Sequence, residues 1–191
     1  MHKSISTLSA AVAFALAASS HAAVIGFDTG AEIAIDNASN LATYREAGFS
    51  VSGPAASFLT IDGIGTGASG GLFLATGNTL SLMAQDGGLF RFTGLDAGQF
   101  GADPDATLTL TGFFGDGTES GSTVALAELG MMGFAGFDGL SELRISANAD
   151  VVLDNLLAVT SAVPEPGTAA MLLLGLGALV GTRRTLRRTA V

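Results

Sequence analysis

The sequence predicts an all-β chain. Short runs of leucine, β-branched and aromatic residues alternate with clusters of Gly, Asn, Asp and Pro, and no long stretch keeps the spacing of an amphipathic helix. Glycine is concentrated in the same region, with 23 of the chain's 27 between Ala23 and Val163. Such punctuation suits a sandwich or barrel and not βαβ units. No internal repeat of fixed period occurs, which excludes solenoids and propellers. A length of 191 residues leaves room for one domain between its two end segments.

Taken in order, the strand candidates begin with Val24 to Phe27, Phe49 to Ser52, Phe58 to Ile61, Leu72 to Ala75 and Thr79 to Ala84. Leu89 to Phe92 follows. The clearest is Ala106 to Phe113, where Leu108 and Leu110 alternate with Thr107, Thr109 and Thr111, giving one apolar face and one face of hydroxyls. Ordinary solvent-facing β propensity accounts for those threonines. Phe114-Gly-Asp-Gly-Thr118 then reverses the chain into Ser122 to Ala127 as a hairpin. Leu143 to Ser146 and Val151 to Ala158 complete the set. Ala38 to Glu46 is open to reading as one short helix, with only Leu41 and Tyr44 as apolar anchors. Gly63 to Gly71 carries five glycines in nine residues, with no lysine behind it to hold a phosphate, and reads as a flexible loop.

The ends carry sorting patterns. Residues 1–22 read as a signal peptide: Lys3 gives the positive start, Ile5 to Ala18 the apolar stretch, and Ser20-His21-Ala22 a small-x-small cleavage site, with cutting after Ala22 or Ala23. Residues 163–188 combine a chain break at Val163-Pro164-Glu165-Pro166-Gly167, an apolar run from Ala169 to Val180, and a basic close at Arg183, Arg184, Arg187 and Arg188. Proline lacks an amide donor and fixes φ, so the Pro-Glu-Pro unit stays extended and open to an enzyme. Arginines resist entry into lipid and hold their end in the cytoplasm. The apolar run is shorter than the ~20 residues of a standard span. A core helix, however, would not end in four arginines, and a single short C-terminal transmembrane helix is expected.

Charge narrows the function of the 23–162 region. Three basic residues (Arg45, Arg91, Arg144) stand against sixteen Asp and Glu from Ala23 to Val163, a net charge of −13 that repels phosphate backbones and excludes nucleic acid as a partner. There is no cysteine, and both histidines, His2 and His21, lie in the signal segment. Ser-His-Asp relays, Cys nucleophiles and histidine-ligated metals are therefore excluded from the processed domain. Two-carboxylate glycoside hydrolysis remains open as a remote third reading, since it needs only an acid pair ~5–9.5 Å apart. Most acids, though, sit beside glycine as turn formers, as in Asp62-Gly63, Asp86-Gly87, Asp116-Gly117 and Asp138-Gly139. Asp103-Pro104-Asp105 also reads as a solvated turn, because it departs from the calcium-loop spacing. Eleven phenylalanines with one Tyr and no Trp point to a packed core more than to a sugar-stacking platform.

The tail Val163-Pro164-Glu165-Pro166, its Leu/Gly/Ala helix from Met171 to Val180 and its four arginines resemble the PEP-CTERM sorting signal, also labelled an ice-binding protein C-terminal domain, a label that does not itself imply ice binding. The resemblance implies recognition by an exosortase-type enzyme and cleavage near Pro164 to Pro166. It also implies transient anchoring in the inner membrane of a Gram-negative bacterium, then delivery to the cell surface or extracellular polysaccharide. The run Phe137 to Ile145, followed by Val151-Val-Leu-Asp154-Asn155-Leu156, is similar to the last strands of galactose-binding-like jelly rolls. That similarity implies a jelly-roll-like β-sandwich ectodomain and, by analogy, Asp28 and Asp154 as candidate calcium ligands. The expected role is thus a non-enzymatic surface or matrix protein associated with exopolysaccharide. The alternative is a calcium-dependent carbohydrate-binding module.

Overall fold

The computed structural model describes residues 22–28, 32–55 and 59–160. The signal segment and the sorting tail called at 1–22 and 163–188 lie outside the described residues, apart from Ala22. Among the described residues no helix is long and apolar enough to cross a membrane.

Among the described residues thirteen antiparallel strands join into one sheet that curls over itself. Its larger layer contains β2 (Glu32–Asp36), β3 (Leu41–Glu46), β4 (Phe49–Pro54), β7 (Thr79–Ala84), β12 (Asp138–Ala147), β9 (Thr107–Phe114) and β10 (Glu119–Ala125), paired in that order. The second layer runs β5 (Leu59–Asp62), β6 (Gly70–Leu74), β13 (Val151–Thr160), β8 (Phe90–Gln99) and β11 (Gly130–Gly133). β1 (Ala22–Ile25) lies beside the far half of β13. The layers join where Asp138 and Leu140 of β12 pair with Arg91 and Phe90 of β8.

Alternation drives this arrangement. In β7 the buried apolar residues are Leu80, Leu82 and Ala84; in β9, Leu108 and Leu110; in β12, Leu140, Leu143, Ile145 and Ala147. Residues with period two share a face, so each strand contributes one side to a common core and leaves the other to solvent. That core is a single cluster spanning both layers, from Ile25 and Tyr44 to Leu153 and Leu156. Aromatic edges lock it, as in Phe49 against Phe90 at 5.5 Å and Phe92 against Phe137 at 6.5 Å.

The all-β expectation holds, with differences in detail. The segment open to a helical reading, Ala38 to Glu46, is a turn followed by β3, since Ala42 and Tyr44 alternate with Thr43 and Arg45 and both point into the core. β2 and β11 lie outside the strands expected from the sequence; they are short, and of their large apolar residues Ile33, Ile35 and Met131 are exposed. β8 runs on to Gln99, well past Phe92, through Gly94, Ala97 and Gly98. The Asp-led turns at 86 and 116 are present, with Asp86 accepting from the Gly88 amide at 2.8 Å and Asp116 from the Thr118 amide at 2.9 Å. Asp103 likewise caps the Asp105 amide at 3.0 Å.

Neighbouring residues of β7 provide a test of the layering. Leu82→Ala, at 0% exposure, is expected to cost about 2–5 kcal/mol of unfolding free energy. Met83→Ala, 41% exposed on the opposite face, should stay within about 0.5 kcal/mol of the parent. Urea unfolding of the purified exported protein measures both.

Candidate functional site

Two places on the domain gather polar chemistry. The first lies at an irregularity in β13. Its near half pairs with β6 and its far half with β1, while β8 runs along the other side with register shifts between Asp154 and Leu157. Asn155 takes φ 46 at that irregularity, a left-handed conformation that Asn tolerates through its short polar side chain. The shift leaves Asp154 directly opposite Asp96 of β8.

Both carboxylates are buried, Asp154 at 0% and Asp96 at 4% exposure. The segment from Gly63 to Gly70, with its 3-10 turn Thr66–Ala68, packs against them. Asp154 Oδ2 accepts from the Thr66 amide at 2.8 Å and the Ser69 hydroxyl at 2.9 Å, and its Oδ1 accepts from the Asn155 amide at 2.7 Å. Asp96 Oδ2 accepts from Thr66 Oγ1 and Asn155 Nδ2, each at 2.8 Å. Burial pushes the Asp154 carboxyl up, assisted by the charge of Asp96 and opposed by the bonds from Thr66, Ser69 and Asn155. The glycine-rich segment is thus tethered, where its composition suggests flexibility. Glycine at position 65 permits the approach: a Cβ there would come within 2.6 Å of Asp154 Oδ2.

Asp28 meets the same segment from the other side, accepting from the Gly70 amide at 3.0 Å. Gly70 allows the contact, since a Cβ there would lie 2.2 Å from the Phe27 carbonyl oxygen. Glu46 of β3 closes the row by accepting from the amides of Gly26 and Phe27 and from the Tyr44 hydroxyl at 2.9 Å. Burial, then the bond to Glu46, pushes the Tyr44 phenol well above its ordinary range, and the charges of Asp28 and Asp154 add to this. The fold therefore brings Asp28 and Asp154 to one segment. Asp96, Glu46, Thr66 and Ser69 join them unannounced by the sequence; a lone Asp in the apolar-and-glycine run of β8 was the available signal. Calcium takes six to eight oxygens, and the Asp154 oxygens here already accept protein donors. Among the described residues no group of three or more His, Cys, Asp or Glu could hold a metal ion, so these side chains do not fit the calcium analogy.

The second place is the outer face of the larger layer. Between β3, β4 and β7 it sinks into a shallow, open depression of about 460 Å³, with Leu41, Thr43, Arg45, Ser52, Met83 and Gln85 among its lining. Gln85 Nε2 donates to the Phe49 carbonyl at 2.7 Å, which fixes the amide. Farther along the same face Arg144 donates to Glu142 at 2.8 Å and lies 4.4 Å over the Phe113 ring. Glu142 also accepts from the Ser81 hydroxyl at 2.9 Å. The Arg144 bond leads in holding the Glu142 carboxyl below the ordinary glutamate range, with Ser81 adding to it against partial burial.

Two predictions come from these sites. Asp154→Ala leaves the partly buried amides of Thr66 and Asn155 without their acceptor and should cost about 3 kcal/mol, while Asp28→Ala, which loses one exposed acceptor, should cost about 1 kcal/mol. Chemical unfolding compares them, and faster hydrogen exchange at Thr66 is expected in the first variant alone. For Glu142 the folded pKa lies below the unfolded one, so its contribution is present above the unfolded value, ~4.3, and is lost as pH falls through the folded value. Glu142→Gln should therefore lower stability by about 0.5 kcal/mol at pH 7 and by nothing at strongly acid pH, read from unfolding midpoints across that range.

Known proteins resemble the chain at two levels. The TmCBM61 module, solved in complex with beta-1,4-galactotriose, aligns at 10% identity over 59% of this chain and 88% of that one, with a TM-score of 0.38. The C-terminal family 22 carbohydrate binding module of Clostridium thermocellum Xyn10B aligns at 13% identity over 56% and 83%, also with a TM-score of 0.38. The CBM22-1-GH10 modules of the Clostridium thermocellum endo-1,4-beta-D-xylanase 10B, complexed with xylohexaose, align at 10% identity over 69% of this chain and 28% of that one, TM-score 0.36. No curated protein matches. Residues 162–188 match the model of the PEP-CTERM protein-sorting motif, and the chain carries that motif after its β-sheet domain.

Proposed function

We propose that this is an exported surface or matrix protein without catalytic activity of its own, released by an exosortase-type enzyme and associated with exopolysaccharide. The observation that carries the reading is the PEP-CTERM match at residues 162–188, which implies export and exosortase processing. Within it Pro164, Glu165 and Pro166 form the recognition triplet, the following apolar run holds the chain at the inner membrane, and Arg183, Arg184, Arg187 and Arg188 keep the last residues in the cytoplasm. Holding is temporary, because cleavage near Pro164 to Pro166 parts the domain from the apolar run and the arginines together.

The domain's chemistry supports a role in association over one in catalysis. The chain has no cysteine, and its two histidines, His2 and His21, stand in the signal segment and not in the domain. Its acids serve the fold: Asp36 holds Ala38 and Ser39, Asp150 holds Thr76, and Asp116 holds Thr118. Bonds to Ser39, Thr76 and Thr118 keep these three carboxyls below the ordinary range, as suits permanent acceptors more than proton donors.

Replacing Pro164, Glu165 and Pro166 together with Ala tests the sorting. In the native host the variant should accumulate in the inner-membrane fraction with its tail intact, while the parent reaches the surface or medium. Normal release of the variant would overturn the proposal.

A further inference from the structure

Register turns the outer face of the larger layer into rows. Thr43 stands opposite Ser52, Ser52 opposite Ser81, Ser81 opposite Arg144 and Arg144 opposite Thr111. A second row joins Thr79, Ser146, Thr109 and Thr123, its last two hydroxyls 3.1 Å apart. Paired residues share a face, and their strand neighbours Ala42, Val51, Leu80, Leu82, Leu110 and Ile145 are buried, so both rows face outward. Strands lie ~4.8 Å apart, which sets the hydroxyl interval along each row. One row is a chance of β propensity; two adjacent rows crossing several strands make a surface.

The depression at the β3, β4 and β7 end supplies what the rows lack. Arg45 and the fixed amide of Gln85 offer strong polar partners, and Leu41 and Met83, exposed at 42% and 41%, offer C–H surface. A pyranose chain presents the matching chemistry, with ring hydroxyls at its edges and C–H patches on its faces. Sign of charge selects among such chains. The domain's excess of acids, three basic residues against sixteen from Ala23 to Val163, repels polyanions. Among the described residues no carboxylate lines the depression itself; on the rest of the face Glu142 is paired with Arg144, and Asp36 opposite Leu41 and Glu119 opposite Phe113 stand at the two ends of the layer.

We propose that the outer face of the seven-stranded layer binds a neutral, extended polysaccharide, which lies across the strands along the hydroxyl rows and is anchored in the depression at Arg45 and Met83. This rests on the exopolysaccharide reading above and names the surface and the ligand class. The one aromatic ring described on the face, Phe113, is covered by the Arg144 guanidinium, so stacking contributes little and each sugar binds weakly. Affinity accumulates over the length of the chain, and single sugars do not bind measurably.

Affinity electrophoresis of the exported, processed protein tests this with a soluble neutral β-glucan, a neutral galactan, alginate as the polyanion, and polysaccharide extracted from the host. Retardation by a neutral polymer and none by alginate or by the monosaccharides is expected. Arg45→Ala and Met83→Ala should each weaken binding about tenfold, equivalent to ~1.4 kcal/mol. Ser52→Trp, which fills the depression, should abolish binding, and Phe100→Ser on the other layer should leave it unchanged. Unfolding midpoints within error of the parent exclude misfolding as the cause. If the parent binds but the depression variants bind equally well, this inference fails and the exopolysaccharide reading stands. A preference for alginate also overturns it. No binding to any polymer, the host's included, overturns both.

Discussion

Asp154 is the point on which the second layer turns. It sits without exposure where β13 leaves regular register, and three neighbours depend on it: the turn at Thr66, the hydroxyl of Ser69 and the amide of Asn155. A carboxylate in such a place costs several kcal/mol of solvation unless donors surround it. Here they do. The same irregularity lets β13 change partner along its length, from β6 at Val151 to Leu153 to β1 at Leu156 to Val159. Phe27 and Asp28 follow β1, Gly70 opens β6, and the bond between Asp28 and Gly70 ties the two at the break. Asp154 thus joins Asp96 and Asp28 in holding the glycine-rich segment to the sheet.

This constraint reaches the other layer through Glu46. That side chain ends β3 and accepts both backbone amides after β1, while Tyr44, two residues earlier on the core face, donates to it. Phe27 then packs on the Tyr44 ring at 5.0 Å. One polar seam therefore runs from β8 through β13 and β1 to β3. Satisfied networks of this kind rigidify a fold, and a partly satisfied one would be costly. Every buried side-chain nitrogen and oxygen among the described residues has a partner.

How much of this is legible in the sequence depends on residue size. Leu80, Leu82, Leu108, Leu110 and Leu143 announce their strands because large apolar side chains at period two have one structural meaning. β3 escapes that reading, since Ala42 is small enough to be read as helix former or filler, and only its pairing with Gly53 of β4 shows it as a core position. β8 is truncated in the sequence reading for the same reason: Gly94, Ala97 and Gly98 look like loop, yet they are small because Leu129 and the Gly130 to Gly133 strand lie close above them. Asp28 and Asp154 were legible as a pair by analogy with related strands, but what they do was not. Their shared contact is a glycine segment 42 residues from one and more than 80 from the other, and no local rule reports a partner at that distance.

The outer face shows the reverse case, in which the residues were visible and their meaning was not. Threonines 107, 109 and 111 are a common strand motif, and taken alone they call for no explanation beyond propensity. Pairing changes their significance, because it sets Thr109 beside Ser146 and Thr123, and Thr111 beside Arg144, so that hydroxyls from separate parts of the chain fall into line. Acids are absent from the described lining of the depression although they outnumber bases sixteen to three across the domain. A surface selected only for solubility would spread carboxylates over its largest exposed sheet. This face carries Asp36, Glu119 and Glu142 away from the depression, while Asp86, Asp103, Asp116 and Asp150 sit in turns and connections, so that the described polar groups lining the depression are Arg45, Gln85 and the hydroxyls of Thr43, Ser50 and Ser52.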